Sequence, residues 1–329
     1  MNPMNQEYQK SDHRTVRKSI IITGANSGIG LECTIQMAKI APEEQIILAC
    51  RNTQKGNDAI EIIKQKTHHQ HLICLPLDLA SMQSIRDFRS AISKLPNPVI
   101  TALVNNAGIQ NIGKTAYTKD GFEITFGTNQ LGGFYLTLLL LPYIEKNGSI
   151  TFTASDTHDP ATKTGIEPPV YTSGKELAFP KETTEKASIV GQRRYSTSKL
   201  CNVMTAYILH EKLAGKNIRV NAFDPGMVPG TGLAQTYPPV LKFIWNNIMP
   251  ILTFFKHNTN SAKTSGKRLA NLAYAHDLQH LNGIYYSDGR VRKSSADSYN
   301  KNYQLDLWKS GIKLMNIQPQ DTAITLASM

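Results

Sequence analysis

Short apolar runs alternate along the chain with longer segments whose apolar positions recur at helical spacing. The runs SIIIT (19–23), QIILAC (45–50), HLICLPL (71–77), ITALVN (100–105), SITFTA (149–154) and NIRVNAF (217–223) predict six strands, and GIYYS (283–287) a short seventh. Between them, helical periodicity begins at Gly28 and returns over about 53–66 and 81–94. It also marks an apolar helix from Lys119 to Ile144, another from Arg193 to Leu213, and helices near 261–274 and 297–313. Runs without polar alternation fit strands buried on both faces. Strands alternating with helices imply right-handed crossovers, hence a doubly wound α/β domain with a mainly parallel sheet and helices on both faces.

No linker, repeat or compositional break divides the chain, so one domain over 17–314 is expected, with a flexible lead-in at 1–16 and a tail at 315–329. Residues 156–192, rich in Pro, Thr and Lys, read as an irregular insertion. Residues 228–258 turn apolar and helical, as a substrate lid would. Its most apolar part, VLKFIWNNIMPILTFF (240–255), is interrupted by two Asn, a Pro and a Lys and falls short of the ~18 apolar residues a membrane span needs. It could equally pack onto the domain, cover a hydrophobic small-molecule substrate, or make peripheral membrane contact through 240–256, helped by Lys242 and Lys256.

Composition changes this picture little. The 36 Lys and Arg against 25 Asp and Glu give a net charge of +11, which favours anionic partners: a phosphorylated cofactor, an acidic lipid surface or a nucleic acid. The basic residues are scattered, with no zinc-finger spacing and no aromatic-studded stripe, so nucleic acid is not an expected partner. Four separated cysteines (Cys33, Cys50, Cys74 and Cys201) without a CxxC pair read as reduced thiols in a cytoplasmic compartment. His68, His69 and His71 lack supporting carboxylates and read as a solvated loop, so no metal is expected.

The segment Thr23-Gly-Ala-Asn-Ser-Gly-Ile-Gly30 lies between the first strand and the first helix. Glycines at 24, 28 and 30 permit a tight turn, and the helix start behind them offers free N–H groups to a pyrophosphate. Asn26, Ser27 and Ile29 complete this cofactor-binding turn. At the end of the second strand an acidic residue would bind a 2′-hydroxyl and repel a 2′-phosphate. Arg51 stands there instead, and guanidinium pairs well with phosphate, so NADP(H) is expected and NAD(H) is the less favoured cofactor. Ser27 withholds a second basic residue from the position just before the middle glycine.

Tyr195 and Lys199 stand four residues apart on an expected helix, so both side chains leave one face. A free phenol, with a pKa near ~10, is a poor acid–base group at neutral pH, and a neighbouring cation favours its ionised form. With the TGxxxGxG turn, this YxxxK pair resembles the short-chain dehydrogenase/reductase family and its Rossmann-type fold. The likeness covers about residues 17–314, and the order of further motifs strengthens it. Asp78-Leu79 stands where the family contacts adenine; Asn105-Asn-Ala-Gly108 matches its NNAG element, with Ala107 and Gly108 at the cofactor floor. Asp224-Pro-Gly-Met-Val228 matches the element beside the nicotinamide, carried by Pro225, Gly226 and Val228.

The resemblance also implies a catalytic tetrad of Asn129, Ser155, Tyr195 and Lys199. Tyr195 would donate a proton to a carbonyl oxygen that Ser155 also holds. Lys199 would hold the nicotinamide ribose and tune Tyr195, and Asn129 would keep a relay water. His158, three residues past Ser155, is placed either at the pocket or on the surface, and Cys201 is a packed helix residue. ACRN (49–52), Asn129 to Thr137, Ser198 to Asn202 and Pro225 to Leu233 are similar to the branch holding retinol dehydrogenases and protochlorophyllide reductases. The latter usually carry a threonine-type residue where Ser155 stands, a departure that puts their C=C reduction second, as an alternative. A non-catalytic NADP-binding scaffold and a membrane-peripheral binding protein are the alternatives outside enzymology. The helices 119–144 and 193–213 are those that related enzymes pair across a two-fold axis, which suggests a homodimer.

Overall fold

The apolar runs form strands whose side chains alternate between two dry faces of one sheet. In β1 (Ser19–Thr23), Ile20 and Ile22 enter one buried cluster and Ile21 the other. In β2 (Gln45–Cys50), Ile46 and Leu48 oppose Ile47 and Ala49; in β4 (Ile100–Asn105), Ala102 and Val104 oppose Leu103. Both sets are apolar because both faces are covered. The computed structural model describes residues 17–229 and 258–326. Within them lie also β3 (Leu72–Pro76), β5 (Ile144–Thr153), β6 (Arg219–Asp224), β7 (Tyr285–Ser287) and β8 (Arg290–Arg292). The sheet order is β3-β2-β1-β4-β5-β6-β7-β8, parallel throughout except for the antiparallel β7–β8 pair.

Helices α1 (Gly28–Ile40), α2 (Thr53–Thr67) and α8 (Ala262–Tyr274) cover one face. The other is covered by α3 (Met82–Ser93), α4 (Ile124–Phe126), α5 (Gly133–Leu140), α6 (Gly174–Ala178), α7 (Ala187–Lys212) and α9 (Lys301–Leu314). Short polar side chains start several of these helices by accepting otherwise orphaned N–H groups. Asn52 accepts from Lys55, Ser81 from Ser84, Ser261 from Thr264, and Asn300 from Asn302 and Tyr303. Because β1 lies between β2 and β4, crossovers leave it on opposite sides and a crevice opens at the strands' carboxyl ends.

Several boundaries differ from the sequence reading. The helix expected over 119–144 starts only at Ile124, because Gly121 takes a left-handed φ of +84° and Tyr117 bridges to Glu123. It passes through a π-helical turn (Gly127–Gly132) into α5, and Pro142 then closes a 3₁₀ turn, so Ile144 begins β5 five residues before the expected strand start at Ser149. α7 begins at Ala187 rather than Arg193, and the insertion 156–192 holds α6, anchored where Tyr171 and the Gly174 N–H both bond to Asp306 at 2.6 and 2.8 Å. β8 was not anticipated: its alternation is three residues long and mostly exposed.

From the tail, Met315, Ile317 and Ile324 are buried in the larger core. His69 is buried rather than solvated, its Nε2 3.1 Å from the Glu44 carbonyl, and burial lowers its pKa. Cys33, Cys50 and Cys201 are buried free thiols, and burial pushes Cys50 up to about 12.

The two helices that suggested a homodimer are covered from within the chain. α5 is buried along its length and α7 from Tyr195 to Leu209, with α9 lying against α7. Trp308 of α9 meets Phe134 of α5 edge-on at 5.3 Å. Among the described residues no helix is long and apolar enough to cross a membrane, and no cluster of three metal-ligating side chains occurs. The lead-in 1–16 and nearly all of the expected lid, including 240–256, lie outside the described residues.

Candidate active site

Every strand-end motif singled out in the sequence reaches the same crevice, a cavity of about 1200 Å³. Its first wall is the glycine turn. Gly24 and Gly28 have φ of +65° and +53°, and a Cβ on Gly30 would lie 2.2 Å from the Gly24 carbonyl oxygen and 2.7 Å from Asn106 Nδ2. Ser27 is extended at the N-cap of α1 and makes no side-chain cap bond, so the first-turn N–H groups face the cavity without an internal acceptor from its hydroxyl. The turn is thus held close against the end of β4, and it leaves donors where a phosphate would sit.

Thr23 makes that attachment. Its hydroxyl accepts the N–H groups of Asn106 and Ala107, both at 2.9 Å, while Asn106 Nδ2 donates to the Thr23 carbonyl at 2.9 Å. Asn105 points elsewhere: its Nδ2 donates to Thr137 on α5 at 2.9 Å, so it ties sheet to helix, and Asn106 lines the cavity in its place. Ala107, Gly108, Asp78 and Leu79 line the cavity with Asn26, Ser27 and Ile29. Asp78 Oδ1 accepts from the Ala80 N–H and its Oδ2 lies 3.6 Å from Lys119. Arg51 lines the cavity, and so does Lys55, a second cation in the first turn of α2 that the sequence reading missed. Asn52 followed three residues later by a basic side chain at a helix start was the available signal.

Ser155, Tyr195 and Lys199 also line this cavity, with Pro225, Gly226 and Val228. Lys199 Nζ lies 5.6 Å from the Tyr195 ring centre and donates to the Thr153 carbonyl at 3.0 Å, which Asn202 also reaches at 3.0 Å. Lys199 is almost wholly enclosed; burial pushes its ammonium down to about 8, opposed by the Asp224 carboxylate. Ser155 caps a 3₁₀ turn (Asp156–His158), its Oγ accepting from the Thr157 N–H at 3.3 Å.

Asn129 sits in the π-helical turn, buried just behind the cavity-lining Gly108 and Ile109. Its amide pairs with the Ile109 backbone in both directions, at 2.7 and 2.8 Å, and donates to Ser198 at 3.0 Å. A Cβ on Gly108 would lie 3.3 Å from Asn129 Oδ1 and 3.4 Å from Lys199 Nζ, so only glycine fits without a tight contact between them. His158 is at the pocket, not the surface. Its Nδ1 lies 2.6 Å from the Ser155 carbonyl, its Nε2 accepts the Ser295 N–H at 3.1 Å, and its ring packs on Tyr285 at 4.9 Å. Those bonds require the neutral Nδ1–H tautomer, and burial lowers its pKa accordingly.

A glycine turn at one end of a cavity and a buried Tyr–Lys–Ser group at the other define a class, and comparison with known proteins agrees. The short chain dehydrogenase family profile matches residues 18–178. Retinol dehydrogenase 12 of Mus musculus is 31% identical over 307 residues, which cover 92% of this chain and 87% of that protein. Retinol dehydrogenase 13 of Homo sapiens is 28% identical, covering 92% and 85%. The crystal structure of 3-ketoacyl-(acyl-carrier-protein) reductase from Brucella melitensis complexed with NADH superposes with a TM-score of 0.57 at 19% identity, over 82% of this chain and 95% of that one, and shares the fold. The chain belongs to the short-chain dehydrogenase/reductase family of oxidoreductases. Within it, the chain falls in the retinol dehydrogenase-like branch.

Proposed function

We propose that the protein is an NADP(H)-dependent oxidoreductase that interconverts a carbonyl and an alcohol on a hydrophobic small molecule, with Tyr195 as the general acid and base. The observation that carries this reading is the enclosed Tyr195–Lys199 pair opening, with Ser155, into the same cavity as the glycine turn. A nicotinamide bound there supplies the hydride in reduction and takes it up in oxidation.

In the reductive direction Tyr195 gives its hydroxyl proton to the carbonyl oxygen as negative charge develops there. Ser155 donates a hydrogen bond to the same oxygen, and its turn is held in place by His158. The Lys199 ammonium favours the tyrosinate left behind and reaches the ribose side of the cavity past Gly108. Asn129 holds the Ile109 segment, and with it the glycine that leaves this room. Arg51 and Lys55 place two cations at the adenosine end, where a 2′-phosphate would lie, so Lys55 supplies the second charge that Ser27 does not.

The hydrophobic substrate class is supported by the retinol dehydrogenase names among the relatives and by the apolar composition of 240–255. A cytoplasmic protein in peripheral contact with a membrane through 240–256 is consistent with the same segment. The test is turnover of retinoid, steroid and long-chain aldehyde panels with NADPH and with NADH. Turnover of apolar carbonyls at lower NADPH than NADH is expected. Preference for NADH, or for small hydrophilic carbonyls alone, contradicts the reading.

A further inference from the structure

Behind the Tyr195–Lys199 pair lies a buried carboxylate to which the chemistry above gives no part. Asp224 ends β6 and is 1% exposed. Its Oδ1 accepts the N–H groups of Gly226 and Asp156 at 2.9 and 3.2 Å. Its Oδ2 accepts the Ser287 hydroxyl at 2.7 Å and the Asn258 amide at 3.1 Å, and Asn258 donates as well to Asp156 Oδ2 at 3.0 Å. The four donors come from the turn after β6, the turn that carries Ser155, the end of β7, and Asn258, four residues before α8. All four are neutral, so they hold the carboxylate in place without cancelling its charge.

The register of the sheet directs that charge. Thr153 of β5 pairs with Phe223, the neighbour of Asp224, and Thr153 carries the carbonyl that accepts Lys199 Nζ. Other titratable or charged groups lining this end of the cavity are Tyr195 on the helix of Lys199, Asp156 and His158 in the turn after β5, Tyr285 on β7, and Asp288, Arg292 and Lys293 of the β7–β8 hairpin, where Asp288 is paired with Arg268 and Arg292 at 3.4 and 3.8 Å. Burial lowers His158, which its two backbone bonds already hold neutral, and burial with Asp224 raises Tyr285 well above its ordinary value. Neither changes charge in the mildly alkaline range where Lys199 does.

We propose that Asp224 is a positioning residue for the reaction: it clamps the Ser155 turn to the Pro225–Gly226 turn, and its fixed charge favours the ammonium form of Lys199. The catalytic half of this statement rests on the function proposed above; the coupling of Asp224 to Lys199 does not.

The reaction proposed above needs the Lys199 ammonium, and removing a nearby negative charge lowers its pKa. In Asp224→Asn the alkaline limb of kcat/KM for carbonyl reduction should therefore move to lower pH by about one unit, the order expected for one charge inside a protein. Asn is nearly isosteric, and the Ser287 hydroxyl can turn to donate elsewhere; Asp224→Ser serves as a second neutral variant should Asn not fold. Asp224→Glu keeps the charge while disturbing the hydrogen bonds, so its limb should stay near that of the parent. Lys199 is followed without turnover by NMR of carbon-labelled lysine in the cofactor-free protein, assigned with Lys199→Arg. Its midpoint, about 8 in the parent, should fall in the neutral variants. A limb and a Lys199 midpoint that both stay in place in a folded neutral variant overturn the proposal. A shifted Lys199 midpoint in a protein that turns over no carbonyl upholds the coupling and removes the oxidoreductase reading.

Discussion

Asn129→Ala offers a quantitative test of how the site is held. The Asn129 side chain is buried and makes three hydrogen bonds, two to the Ile109 backbone and one to Ser198. Truncation leaves the Ile109 N–H and carbonyl without these partners, whereas the Ser198 hydroxyl keeps its bond to the Tyr195 carbonyl at 2.7 Å. A buried polar group left unpaired costs ~1–3 kcal/mol; the two Ile109 groups are part-buried at the cavity wall, so the low end applies, roughly 2–3 kcal/mol for both. For a domain of this size each kcal/mol lowers Tm by about 2–3 °C, and the expected fall is roughly 4–9 °C. Asn202→Ala is the internal comparison. It removes one bond to the Thr153 carbonyl, which keeps Lys199, and should cost about 1 kcal/mol. Thermal unfolding followed by circular dichroism measures both. A Tm for Asn129→Ala within about 1 °C of the parent, or above that of Asn202→Ala, would refute the argument that this amide anchors the Ile109 segment.

Other expectations follow from the same geometry. Arg51→Ala and Lys55→Ala should each weaken NADPH binding roughly tenfold, the loss of one charge-assisted contact of ~1.4 kcal/mol, with little change for NADH; equal losses for both cofactors would remove these residues from the 2′-phosphate. Because burial depresses Lys199 to about 8, its charged form is present below that value and lost above it, so carbonyl reduction should decline as pH rises through about 8. A flat profile there would contradict that assignment. Gly30→Ala drives a Cβ into the Gly24 carbonyl and Asn106, and should cost ~1–3 kcal/mol and most of the cofactor affinity. Unchanged binding by fluorescence titration would show that the turn has slack.

Much of the fold was legible because it depends on local pattern. Strands such as SIIIT are apolar on both faces, and that pattern alone marks a covered parallel sheet. The strand-end motifs were legible for the same reason, each being a short run whose geometry its own residues dictate. What escaped depends on contacts between distant segments. The false start of the helix at Lys119 had a local signal in Asp120-Gly121, a turn pair, but Glu123 as the true cap, accepting from the Phe126 N–H at 2.8 Å, shows only in three dimensions. The π-helical turn at 127–132 carries no sequence mark. Asp224 reads in sequence as part of a DPG turn. Its importance lies in donors from residues 156, 258 and 287, which no spacing along the chain reveals. Asn105 and Asn106 are adjacent and alike, and only the alternation of the strand end decides that Asn106 faces the cavity.

The most direct measurement of the central claim is nicotinamide absorbance during NADPH-driven reduction of apolar aldehydes and ketones by the parent protein and by Tyr195→Phe. Phe keeps the ring and removes the only atom that Tyr195 is held to contribute. The expected result is turnover by the parent and a loss of at least ~100-fold in kcat for the variant, the usual worth of a positioned proton donor, with NADPH affinity and Tm nearly unchanged. A variant that reduces the same substrates at close to the parental rate would contradict the account.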